Sequence, residues 1–189
     1  MPVQIGAQAH NFSDPTGLLS DCHRRIEMFL RTLEGVAPVV DRPLTEETRV
    51  ALESALRYFR EAAPKPTGDE EESLFPRLRK MHLPDVEAAI ESLEPLEHDH
   101  LLAGVLHAEV EEIGQQYLSA GSLESTGVES FRKAIASLVS TYQQHIRIED
   151  EFVFPMAARL LSSSEKAAIA DEMAARRNVR LVPSTSEMP

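Results

Sequence analysis

Tyr142-Gln143-Gln144-His145-Ile146-Arg147-Ile148-Glu149-Asp150-Glu151-Phe152-Val153-Phe154-Pro155 is the stretch on which the reading of this chain turns. Ahead of it Phe131, Ile135, Leu138 and Tyr142 recur at the spacing of one helix face. The same steps continue to His145, Glu149 and Phe152. An imidazole and a carboxylate therefore stand on an apolar stripe, where Leu or Val is expected. A buried carboxylate without a partner costs roughly several kcal/mol, so it must be paired, hydrogen-bonded or bound to a cation. A buried His one turn before a buried Glu suits a metal ion, which accepts both the nitrogen and the oxygen.

The same periodicity, followed through the rest of the chain, gives three more long helices. Asp14-Pro15, a capping residue followed by proline, opens the first, which runs to about Val36. Its stripe is Leu19, His23, Ile26, Leu30 and Leu33. Thr45 with Glu46 and Glu47 opens the second, whose stripe is Leu52, Leu56 and Phe59. Pro64, Pro66 and Gly68 break it, and residues 63–68 read as a loop. A third stretch, about Asp85 to Ser119, has Ile90, His98, Leu101, Leu102, Val105 and Ile113 on one broad inner face, with Pro95 as a kink or division. The fourth runs from about Val128 to Leu161. Ser162-Ser163-Ser164-Glu165 reads as a capping box for a short fifth helix, about Ser164 to Asn178. The expected fold is all-α, an up-down-up-down four-helix bundle with a short C-terminal extra helix. The domain spans 14–178, with tails at 1–13 and 179–189.

At 189 residues one core suffices for the chain. The net charge of −12 argues against nucleic acid and against an anionic membrane surface as partners, because both need clustered Lys and Arg. A single Cys excludes an internal disulfide. No signal-like start and no apolar run of membrane-spanning length is present, so a cytoplasmic protein is expected.

The decisive stretch has a partner earlier in the chain. Pro66-Thr67-Gly68-Asp69-Glu70-Glu71-Glu72-Ser73-Leu74-Phe75-Pro76 aligns without gaps with residues 145–155. Glu70 matches Glu149, Glu72 matches Glu151, and Phe75-Pro76 matches Phe154-Pro155. Ahead of each copy lies a helix with one core-facing His, His23 before the first and His98 before the second. Two helix pairs packed antiparallel bring two such sets face to face, the geometry of a carboxylate-bridged two-metal site.

These residues resemble the hemerythrin-like, HHE cation-binding family. Its pattern is His, His-x-x-x-Glu, His, His-x-x-x-Glu, one element per helix of a four-helix bundle. His23, Glu70, His98, His145 and Glu149 match it, over roughly Leu18 to Leu161. The resemblance implies a non-haem di-iron centre. Glu70 and Glu149 would bridge the irons, His98 and His145 would be terminal ligands of one, and His23 of the other. Manganese and zinc also suit such donors. The chain departs from the pattern at Pro66, which stands where the first His-x-x-x-Glu has its His. Two outcomes are open: a di-iron centre with an extra free position, or a single iron held chiefly through His98, His145 and Glu149. Glu27 and Glu71 are substitute candidates that match no family ligand.

The remaining candidates have plainer readings. His100 and His107 read as solvated surface residues, and His10 and His82 as loop residues. Cys22 reads as a small buried hydrophobe. Glu71 and Glu72 read as a solvated acidic run. Met28, Met156 and Met173 read as core filler, and Phe75 and Phe154 as plugs beside the site. Tyr142, one turn before His145, reads as a core tyrosine with a wet hydroxyl, the alternative being a hydrogen bond behind the ligand shell.

The expected function is iron binding coupled to O2, NO or peroxide, as a carrier, sensor or stress-response protein rather than a dedicated enzyme. The partners are then metal ions and a small diatomic or peroxide ligand. One alternative is a di-iron enzyme acting on peroxide or NO or in iron-centre repair. Another is a degenerate, metal-free interaction bundle, to which Pro66 points.

Overall fold

The computed structural model describes residues 10–81, 87, 91 and 93–181. Those residues are helical with no strand among them. We number the helices α1 (Pro15–Val36), α2 (Glu46–Glu61), α3 (Pro64–Asp69), α4 (Phe75–Leu78), α5 (Leu93–Ala120), α6 (Ser125–Ile148), α7 (Phe154–Leu160) and α8 (Ser163–Arg176). Two single π-turns, Glu70–Leu74 and Glu149–Val153, join α3 to α4 and α6 to α7. The packing pairs are α1 with α2, α2 with α5, α5 with α6, and α6 with α1, which makes a helical bundle. Helix α8 lies on α3, α1 and the first π-turn.

The ends of the helices follow the sequence signals. The Asp14 side chain accepts a hydrogen bond from the Gly17 N–H, and Thr45 accepts one from Thr48. Ser162 and Glu165 form a reciprocal capping box at the start of α8. Each satisfies backbone donors that the first turn leaves without a partner. After α5 the chain turns at Gly121, whose φ of 76° is open to glycine at no steric cost. The expected start of the third helix, near Asp85, falls largely outside the described residues.

The stripes of α1, α2 and α6 are buried as their spacing requires. The core divides into two apolar clusters. One contains Ile26, Leu30, Leu33, Leu52, Leu56, Phe59, Ala103, Val110, Tyr117, Phe131, Leu138 and Tyr142. The other contains Leu19, Leu74, Phe75, Leu78, Leu96, Val153, Phe154, Ile169 and Met173. Each fully buried Leu contributes about 1.5–3 kcal/mol. Between the clusters runs a polar layer. On α1 it is His23, between Leu19 and Ile26. On α5 it is His100, between Leu96 and Ala103. On α6 it is His145, with Glu149 one turn on, between Tyr142 and Val153.

Three local expectations are corrected. Residues 64–69 form α3 rather than a loop, and Pro66 is buried within it. Phe152 is 61% exposed rather than on the inner stripe, while Val153 and Phe154 are buried. The cause is the π-turn, which inserts one residue and rotates everything after it. Proline explains the π-turn itself. Within an α-helix the Pro155 ring would clash with the carbonyl four residues back. Widening the turn removes the clash, and the Phe154 N–H bonds the Glu149 carbonyl, five residues back. Pro76 has the same effect, with the Phe75 N–H on the Glu70 carbonyl.

The third correction concerns α5. Leu101 is 72% exposed, and Leu102 and Val105 are exposed too, as is Met28 on α1. Of the expected face Ile113 is buried and Ile90 lies outside the described residues; the rest of the inward face is Leu96, His100, Ala103, His107, Val110, Gly114 and Tyr117. Small residues on that face let the helices approach closely. A Cβ added at Gly114 would stand 2.9 Å from Leu56 Cδ1.

Candidate metal centre

Four of the five expected site residues meet in the polar layer: His23, Glu70, His145 and Glu149 are all buried. His98 does not join them. It lies on the exposed face of α5. His100, two residues on, points inward instead, and its side chain is only 8% exposed. The correction follows from the inward face of α5, which the large exposed residues Leu101, Leu102 and Val105 had disguised.

One donor atom each from Glu70, His100, His145 and Glu149 lies within 4.8 Å of all the others. Glu149 Oε2 is 3.0 Å from His145 Nε2 and 3.0 Å from His23 Nε2. Glu70 Oε2 is 3.2 Å from His100 Nε2, and Glu70 Oε1 is 3.9 Å from His23 Nε2. The Nε2 atoms of His100 and His145 face each other at 3.1 Å. His23 thus borders the four-residue group from the α1 side.

Each imidazole has a carboxylate behind it. His23 Nδ1 is 3.0 Å from Asp150 Oδ1, which also accepts the Ser20 hydroxyl at 2.8 Å. His100 Nδ1 is 2.8 Å from Glu71 Oε1. His145 Nδ1 is 3.6 Å from Asp99 Oδ2. At His23 and His100 an Nδ1–H held by a carboxylate leaves Nε2 free as a ligand atom facing inward, whereas Asp99 stands near the His145 Nδ1 without bonding it. The two π-turns therefore act alike. Glu70 and Glu71 flank both nitrogens of His100, and Glu149 and Asp150 flank both nitrogens of His23. Neighbours in a turn wound with more residues than an α-helix are less divergent, which lets adjacent acids hold one ring.

Burial works against charge throughout this layer, and the partners decide the outcome. Burial disfavours the His23 cation, yet the bond to Asp150 and the nearby Glu149 carboxylate raise its pKa to about 10. The same balance, with Glu70 as chief partner, raises His100 to about 9. Glu149, although buried, is held down to about 2 by His145 and His23. Glu70 is pushed up, by burial and by the charge on Glu149. Two buried carboxylates that repel each other are the electrostatic counterpart of a cation site.

The donor set fits a metal ion. Among the described residues, Glu70 Oε1 and both carboxylate oxygens of Glu149 are buried without a well-formed hydrogen bond. Unsatisfied buried oxygens are rare in folded proteins and call for a partner. Two imidazole nitrogens and two carboxylates suit iron, manganese or zinc.

The other candidates sort clearly. Glu27 is half exposed and pairs with Arg31, away from the centre. Pro66 offers no ligand atom. Glu71 touches His100 rather than standing in water. His107, expected at the surface, is inward and bonds the Tyr142 hydroxyl at 3.0 Å, with its ring stacked on Phe59 at 4.4 Å. Burial pushes its pKa down to about 4. Phe154 stacks on His23 at 5.2 Å. Phe59, Thr67, His100, Gly104, His107 and Tyr142 line part of a cavity of about 180 Å³ beside the centre. Among the described residues no helix is long and apolar enough to cross a membrane.

No curated protein matches the chain. The family model described as the hemerythrin HHE cation binding domain matches residues 14–157, which take in α1 through the π-turn that carries Glu149. With that match over most of its length, and with buried His and Glu donors gathered between two halves of its core, the chain belongs to the hemerythrin HHE cation-binding domain family.

Proposed function

We propose that this is a non-haem iron protein that binds or senses O2, NO or peroxide, as part of a stress response in the cytoplasm. Glu70, His100, His145 and Glu149 hold one iron. His23, with Glu149 and Glu70 on its Nε2 side, is the donor for a second iron. That second position is the weaker one, because Pro66 supplies no nitrogen where the family pattern has a His. The observation that carries this reading is the convergence of buried, unsatisfied carboxylate oxygens and opposed imidazole nitrogens on one point. Bound iron supplies a Lewis-acidic, redox-active position that accepts a small ligand. The chain's own residues set the imidazole orientations, offset the charge and keep the centre between two apolar clusters. We read the long segments as an up-down-up-down four-helix bundle in which α2–α4 and α6–α7 carry the equivalent halves.

The cavity beside His100 favours a second reading, an enzyme acting on peroxide or NO. Tyr142 and His107 would stand there as proton-bearing groups at the entrance. Stopped-flow absorbance on the reduced, iron-loaded chain separates the two. A stable adduct at one ligand per centre supports binding or sensing. Rapid multiple turnover supports the enzyme. No spectral response to any of the three ligands overturns both.

A further inference from the structure

Helix α8 lies beyond the residues that the family model matches, yet it reaches the centre's backbone. Arg176, its last residue, and Arg177, its C-cap, converge on Asp69, the residue immediately before Glu70. Asp69 is fully buried. Arg176 Nη1 is 2.9 Å from Asp69 Oδ1, and Arg177 Nη2 is 2.6 Å from Asp69 Oδ2. Arg176 also holds Glu72 within the π-turn, through Nη2 at 2.9 Å. Arg177 also lies near Cys22, which immediately precedes His23. One guanidinium thus spans the chain just before two of the site's side chains.

The surroundings accommodate this arrangement. Arg176 Cδ lies 3.4 Å from where a Cβ at Gly68 would be, so a side chain there would crowd it. Ile169 and Met173 of α8 are buried in the same cluster as Phe75 and Phe154, the residues that close each π-turn. Arg77 and Glu172 make a two-pronged pair at 2.8 and 3.0 Å, and Arg77 Nη1 also donates to the Ser73 carbonyl within the π-turn, so α8 meets that turn at a second point. A buried ion pair adds little net stability, and two guanidinium groups, one against each oxygen, restrict a carboxylate's orientation as well as its place.

We propose that α8 is a positioning element of the cation centre. Through Arg176 and Arg177 on Asp69 it holds the Glu70 half of the site in place, the half in which Pro66 provides no ligand. This rests on the metal-binding reading above. Asp69, Arg176 and Arg177 are positioning residues and touch no cation themselves.

The test uses the full metal-free chain titrated anaerobically with Fe(II), and in parallel with Co(II) for its visible spectrum. Arg176→Gln with Arg177→Gln, and separately Asp69→Asn, should weaken uptake by about 10–100-fold, the usual effect of losing a group that orients a ligand. The Co(II) spectrum should change, which a loss of general stability alone does not produce. Arg176→Gln with Arg177→Lys should recover part of the affinity lost in the double glutamine variant. Glu165→Ala, which removes the capping box at the far end of α8, should lower the melting temperature and leave affinity and spectrum as in the wild type. Should the double variant not fold, Asp69→Asn carries the test, since it keeps the shape. Wild-type affinity and spectrum in Asp69→Asn overturn the proposal alone. A wild-type chain that takes up neither ion overturns the metal-binding reading and this proposal together.

Discussion

Glu70 and Glu149 hold the first positions of the two π-turns, and each aims its carboxylate at an imidazole from another helix. The internal repeat in the sequence is thereby a repeat of mechanism. In both copies a proline forces the wide turn, the first acid faces the centre, and the next acid holds the far nitrogen of the imidazole.

Cation binding to the native state must raise its stability. Iron(II) at about 1,000 times its dissociation constant should add about 4 kcal/mol. For a chain of this size that is a rise of roughly 10 °C in melting temperature. Anaerobic calorimetry with and without Fe(II) measures it, and Glu149→Ala should remove the shift.

His98 and His100 offer a direct comparison. His98→Ala should leave Fe(II) affinity within experimental error, because His98 is exposed. His100→Ala should abolish tight uptake, because its Nε2 faces both Glu70 and His145. The reverse outcome in a titration would mean that α5 is turned differently.

Glu71→Gln and Asp150→Asn keep the shape and remove the charge behind His100 and His23. Each should weaken iron binding by about 10–100-fold. Equilibrium competition with a chelator reads the change, and equal effects from both variants would match the equivalence of the two π-turns.

The sequence made much of this arrangement legible, and the misses have physical causes. The stripes of α1, α2 and α6 were readable because large apolar residues alternate with His23 and His145 at helical steps. Helix α5 was not, because its inward face uses Ala103 and Gly114 while Leu101, Leu102 and Val105 face out. Tyr117 was the missed anchor: stepping back from it by threes and fours reaches His107 and His100. Phe152 was misplaced because a 3.6-residue period cannot run through a π-turn. The duplicated Phe-Pro endings were the available signal for that turn.

Metal-free stability should peak near neutrality, with the sign set by each group. The pKa of His23 rises to about 10 on folding and that of His100 to about 9, so their contributions are complete below about 6.5 and fade as pH climbs through those values. Glu149 is lowered to about 2, so its contribution is present above about 4.5 and is lost as pH falls toward 2. His107 is lowered to about 4, so acidification from about 6.5 also costs stability. Denaturant unfolding of the metal-free chain across this range measures the profile. His23→Gln should flatten its alkaline side, and His107→Gln its acid side.

Gly114→Leu tests the close approach of α5 to α2. The added side chain enters the space of Leu56 and should cost about 1–3 kcal/mol. Thermal melting should fall by about 2–4 °C for each kcal/mol lost.

The most direct test is the metal content of the full chain produced with ample iron, beside His145→Ala/Glu149→Ala made in the same way. Elemental analysis should find iron close to one per chain or above in the wild type and almost none in the double variant. Equal content in the two, or a folded wild type that takes up no iron, would contradict the account.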